Sequence, residues 1–97
     1  MRKATRGMSK FPLGQVVATP GALEAIKLAG QEPGYFLSKH AQADWGIIDQ
    51  DDRQLNEEAL CNGDRILSAY RTLKGDRIWI ITEADRSTTT LLLPDDY

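Results

Sequence analysis

The stretch from Arg65 to Leu93, RILSAYRTLKGDRIWIITEADRSTTTLLL, constrains the fold of this chain more than any other. Ile66, Ser68 and Tyr70 alternate with Leu67, Ala69 and Arg71, a period of two that suits a half-buried strand. Lys74-Gly75-Asp76 interrupts the run with residues that accept turn geometry. Ile78, Trp79, Ile80 and Ile81 then follow without a polar break, all β-branched or aromatic, as in a central strand covered on both faces. Asp85-Arg86-Ser87 makes a second turn, Thr88 to Leu93 a third strand, and Pro94 ends it because proline cannot donate to a ladder. The stretch reads as a three-stranded meander with Trp79 in the core.

The chain before it reads as one short strand and three helices. Gln15 to Ala18 is the strand. Thr19 is placed to cap a helix that starts at Pro20, where a missing N–H costs nothing, and that ends near Gly30. A second helix spans about Gly34 to Ala41, anchored by Tyr35, Phe36 and Leu37. Asp49 caps a third, with Asp51 and Asp52 favoured by the positive end of its dipole and Gly63 past its end. Strands segregated from helices predict an α+β fold: a small antiparallel sheet, made of the meander plus the N-terminal strand at its edge or beside the central strand, with about three helices on one face.

Ninety-seven residues suit one domain, here residues 11–97, behind a polar leader of residues 1–10 expected to be disordered. No apolar run approaches the roughly 20 residues that cross a bilayer, and the N-terminus lacks the apolar run of a secretory signal. One cysteine, Cys61, forms no internal disulfide and fits a reducing cytoplasm, the expected location. One Cys and one His fall short of a zinc site, and no phosphate-cradling or dinucleotide glycine spacing is present; neither metal nor cofactor is expected. Charge is unevenly placed. Arg2, Lys3, Arg6 and Lys10 put four of the twelve basic residues into the first ten positions, leaving eight against fourteen acids, a net of about −6, in the remainder. A basic arm of this kind can hold nucleic acid, or be no more than a leader; the acidic body argues against binding phosphates through the folded face.

Four candidates for chemistry stand beside simpler readings. His40, four residues before Asp44, has the makings of a base with its orienting carboxylate, but no nucleophile sits in an activating motif and a half-buried structural role is favoured. Cys61, near a helix C-terminus, has nothing to lower its pKa and is expected to be inert and partly buried. Glu83, Asp85 and Arg86 cluster at a turn, with Asp64 and Asp76 at other strand ends; a partner-binding loop and a metal rim compete there with ordinary turn chemistry, in which Arg86 pairs with Glu83 or Asp85. Trp45, between Asp44 and Gly46, either plugs the helix layer onto the sheet or anchors a partner, as tryptophan does at interface hot spots.

Three stretches, LGQVVATPGAL, HAQADWG, and LSAYRT followed by IWIITEADRSTTTLLLPDDY, resemble a family of small bacterial proteins carried on plasmids and integrative elements. Its members are called plasmid-related proteins of unknown function, and some carry the label of a type I restriction enzyme modification subunit. The resemblance covers roughly Leu13 to Tyr97, omits the basic leader, and transfers no functional residue. A modification subunit needs a methyl-donor domain with a glycine-rich loop and an Asn/Asp-Pro-Pro-Tyr/Phe motif, and this chain has neither, so the restriction label reads as inherited misannotation. The resemblance implies an accessory of a mobile element. The function expected is a non-enzymatic module that binds a protein partner, with Trp45, Asp44, Glu83, Asp85 and Arg86 as contact residues. A nucleic-acid-associated regulator using the arm, or an acidic DNA mimic, is the alternative, and a small hydrolase or nuclease the third reading. Self-association through a strand edge stays open.

Overall fold

A computed structural model describes residues 9–97. In chain order the elements are β1 (Gln15–Ala18), α1 (Pro20–Leu28), α2 (Pro33–Ala41), α3 (Gln50–Asn62), β2 (Ile66–Arg71), β3 (Arg77–Thr82), β4 (Thr88–Leu92) and a closing 3₁₀ turn, Pro94–Asp96. The α+β class follows as the sequence predicts. The caps do too: Thr19 accepts from the Ala22 N–H, Asp49 from the Asp52 N–H, and Gly63 leaves α3 in the left-handed conformation that glycine takes without a Cβ clash.

The four strands lie in the order β1-β4-β3-β2. β2, β3 and β4 form the predicted antiparallel meander, with Ala69 opposite Trp79 and Ile80 opposite Leu91. β1 takes the outer position beside β4 but runs parallel to it, Gln15 opposite Thr88 and Ala18 opposite Leu91. The sheet is therefore mixed, which corrects the antiparallel sheet expected above. Hairpins force antiparallel neighbours, and no hairpin joins β1 to β4; three helices and two strands lie between them, which permits a parallel crossover. Where β1 releases the chain sets its direction. The Thr19 N–H bonds the Leu91 carbonyl at 2.9 Å while its side chain caps α1, so the helix leaves from the Leu91 end of β4.

The register divides the meander into two faces. Ile66, Ser68, Tyr70, Ile78, Ile80, Thr82, Thr89 and Leu91 share one, and α1 and α2 cover it with Ala22, Ala25, Ile26 and Phe36. Ile26, Ile78, Ile80 and Leu91 are fully buried there, and each contributes about 1.5–3 kcal/mol relative to exposure. A second cluster joins Phe11, Trp45 and Ala59 to Ile66. The third helix departs from the one-face arrangement. α3 lies along the outer edge of β2, where the Asn56 amide donates to the Leu67 carbonyl and accepts from its N–H. Leu67, Ala69, Trp79, Ile81 and Leu92 point to the other face, which among the described residues carries no α-helix. Among the described residues no helix is long and apolar enough to cross a membrane.

Candidate interaction surface

The segment from Asp44 to Ile48 links α2 to α3 and pairs with the β2 edge at Ala69. Gly46 bridges Ala69, with the Ala69 N–H donating to the Trp45 carbonyl and the Ile47 N–H to the Ala69 carbonyl. Gly46 has φ of 79°, and a Cβ there would overlap the Ala69 carbonyl. The Arg53 guanidinium fixes the same turn by donating to the Gly46 carbonyl at 2.6 Å.

Trp45 is only 1% exposed. Its ring stacks near Phe11 and meets His40 edge-on, and its Nε1–H donates to Glu57 at 2.9 Å. Of the two readings of Trp45, the structure has the plug between the helices and the sheet, and the ring is not offered to a partner. Asp44 is exposed and pairs with Lys39 at 3.5 Å rather than orienting His40, while its carbonyl accepts from the Tyr70 hydroxyl, whose pKa burial pushes up.

His40 is fully buried within a relay of hydroxyls. The Thr89 hydroxyl donates to the Leu13 carbonyl at 2.6 Å, which uses its only proton. It therefore accepts from Thr82 (2.8 Å), and Thr82 in turn accepts from His40 Nε2–H (2.9 Å). Nδ1 is left to accept the Ser68 hydroxyl at 2.5 Å. This order assigns a neutral Nε2–H tautomer, and burial lowers the pKa from 6.5 to about 4. The Ser68–His40 contact has the atoms of a nucleophile and base, but both side chains are fully buried beneath the helices. The relay joins α2, β2, β3, β4 and the chain before β1.

Arg86 holds φ of 61° at the β3–β4 turn and spends its guanidinium inside the chain. It donates to the carbonyls of Asp64, Glu83, Ala84 and Ala59 and lies 5.8 Å over the Phe11 ring. The expected pairing with the carboxylates of Glu83 or Asp85 is replaced by main-chain acceptors, because the turn aims the side chain at the exposed carbonyl end of α3. Glu83 instead faces Arg65 at 3.6 Å. Asp85 accepts from the N–H and hydroxyl of Ser87, which hold its carboxyl below the usual range. Among the described residues no three acid, His or Cys side chains gather as metal ligands. Cys61 is exposed rather than half-buried, since α3 turns Asn56 and Ala59 inward and Cys61 away. Arg2, Lys3 and Arg6 lie outside the described residues. Lys10, expected within a disordered leader, donates its N–H to the Ala41 carbonyl, because Phe11 beside it is buried.

The helix-free face carries what the sequence reading missed. Trp79, expected in the core, is only partly buried there and meets the exposed Tyr97 edge-on at 5.8 Å. Beside it a cleft of about 280 Å³ is lined by Ile47, Leu67, Ala69 and Trp79, together with Asp52 and Arg77. Ile47 is 47% exposed. The signal was present in the sequence: the four-residue apolar run needs cover on both faces, and α1 and α2 cover one. Comparison with family models, with curated proteins and with solved structures returns no match.

Proposed function

We propose that this protein is a non-enzymatic interaction module that binds a protein partner through the helix-free face of its sheet. The observation that carries the reading is the partly buried Trp79 beside exposed Ile47 in a formed cleft. A central aromatic in a desolvated notch with near-neutral surroundings is the usual build of an interface hot spot. Asp49 and Asp52 line the cleft from the start of α3 and Arg77 from β3, a net of one negative charge, so the partner segment that fits carries an apolar side chain next to a basic one. An accessory role in a bacterial mobile element rests on the sequence resemblance alone.

The test uses the full chain as bait in lysate of the native bacterium, with and without nuclease, followed by binding measurements on the purified captured protein. Ile47→Arg is expected to weaken that binding at least tenfold, whereas Leu28→Arg, at an exposed position of α1, leaves it unchanged. Binding that survives Ile47→Arg refutes the assignment to this face. Capture that disappears with nuclease moves the reading to nucleic acid and the basic arm.

A further inference from the structure

We infer that two copies of this chain pair through β1, antiparallel about a two-fold axis at Val17. The sheet has two edges, and the fold treats them differently. The β2 edge is closed at Leu67 by the Asn56 amide and at Ala69 by the Trp45–Ile47 segment. The β1 edge has no ladder partner beyond β4 among the described residues, and Val16 and Val17 are 43% and 39% exposed.

Hydrogen bonding fixes which groups face outward. The Gln15 N–H donates to the Ser87 carbonyl and the Thr19 N–H to the Leu91 carbonyl, so the odd positions of β1 serve the parallel ladder. Alternation then turns the N–H and C=O of Val16 and Ala18 away from β4. In an antiparallel pair centred on Val17, Val16 of each copy lies opposite Ala18 of the other, and each such pair exchanges both of its N–H···O bonds. Val17 faces its own copy as the close, non-hydrogen-bonded pair. The strand is self-complementary in that register.

Charge selects a second copy over a charged peptide. Natural edge strands that stay single carry lysines, inward charges or bulges. Here no charged residue occurs from Phe11 to Leu23, nor along β4 from Ser87 to Pro94. Two acidic bodies thus meet along an uncharged seam. Pairing consumes the one open edge and the closed β2 edge offers none, so the assembly stops at a closed dimer with one continuous sheet. The inference is independent of what binds the helix-free face.

Sedimentation equilibrium of the full chain over a wide concentration range tests it, together with amide hydrogen exchange. The wild type is expected to pass from monomer to dimer, with the Val16 and Ala18 amides gaining protection as the dimer forms. Val16→Pro removes an outward donor while leaving the β4 ladder intact, an edge setting in which proline is tolerated. Val17→Lys sets like charges on the axis. Each variant is expected to weaken dimerisation at least tenfold with the monomer's circular dichroism unchanged. A wild type that stays monomeric up to its solubility limit overturns the inference. So does a dimer indifferent to Val17→Lys, or assembly beyond two copies.

Discussion

The neutral His40 relay makes stability depend on pH in a calculable way. The imidazole titrates near 6.5 in the unfolded chain and at about 4 in the fold, because burial among Phe11, Trp45 and the sheet penalises its charged form. Above pH 6.5 both states are neutral and the group contributes nothing to the pH dependence. Between 6.5 and 4 the unfolded chain binds a proton that the native state refuses, so stability falls as pH falls. At 1.36 kcal/mol per pKa unit, lowering the pH from 7 to 4.5 removes about 2.5 kcal/mol through this one residue. The carboxylates with lowered pKa, Asp85 and Asp96, release their stabilisation only at lower pH, which leaves this window to His40. Urea unfolding of wild type and His40→Gln at pH 7 and 4.5 measures the difference: the wild type loses about 2.5 kcal/mol more than the variant. His40 is the only histidine, so in an untagged chain a single imidazole resonance reports its titration by NMR. Equal pH dependence of the two proteins, or a native midpoint near 6.5, refutes the neutral relay.

Two further perturbations probe the supports of the β2 edge and of the β3–β4 turn. Gly46→Ala puts a Cβ into the Ala69 carbonyl at a left-handed φ, and is expected to lower unfolding free energy by about 2 kcal/mol or more in urea titration; a change under about 0.5 kcal/mol refutes the bridge geometry. Arg86→Ala removes a guanidinium bound to four carbonyls and is expected to cost about 2–3 kcal/mol, whereas Arg86→Gly recovers about 1 kcal/mol of that by relaxing the positive φ; a glycine variant no more stable than the alanine one refutes the strain.

The elements were legible because local chemistry marks them. Thr19-Pro20, Asp49 with its acidic first turn, Gly63 and the two polar turns of the meander bound helices and strands at the observed places. Strand direction was not legible, because β1 and β4 meet across the whole chain and nothing local records a parallel crossover. The candidate site was hardly legible. Trp45 sits between polar residues and reads as a loop residue, yet Phe11, an isolated aromatic without periodic company, joins it to bury the junction. Trp79 sits in an apolar run and reads as core, but run and alternation together assign it to the face opposite Ile78 and Ile80. Arg86 reads as a partner for acids and instead finds carbonyls, because its left-handed backbone redirects the side chain.

The face and the edge make separate demands, and their separation is itself testable. Val17 shares the helix-free face with Thr90 and the Trp79 strand, while the groups that pair two copies are the outward backbone of Val16 and Ala18. A backbone change at Val16 leaves Ile47 and Trp79 where they are, and a charge at Ile47 leaves the β1 ladder intact. Val16→Pro is therefore expected to abolish pairing while retaining partner binding, and Ile47→Arg to do the reverse. If either substitution removes both, the partner sits across the seam between two copies, and face and edge form one composite surface.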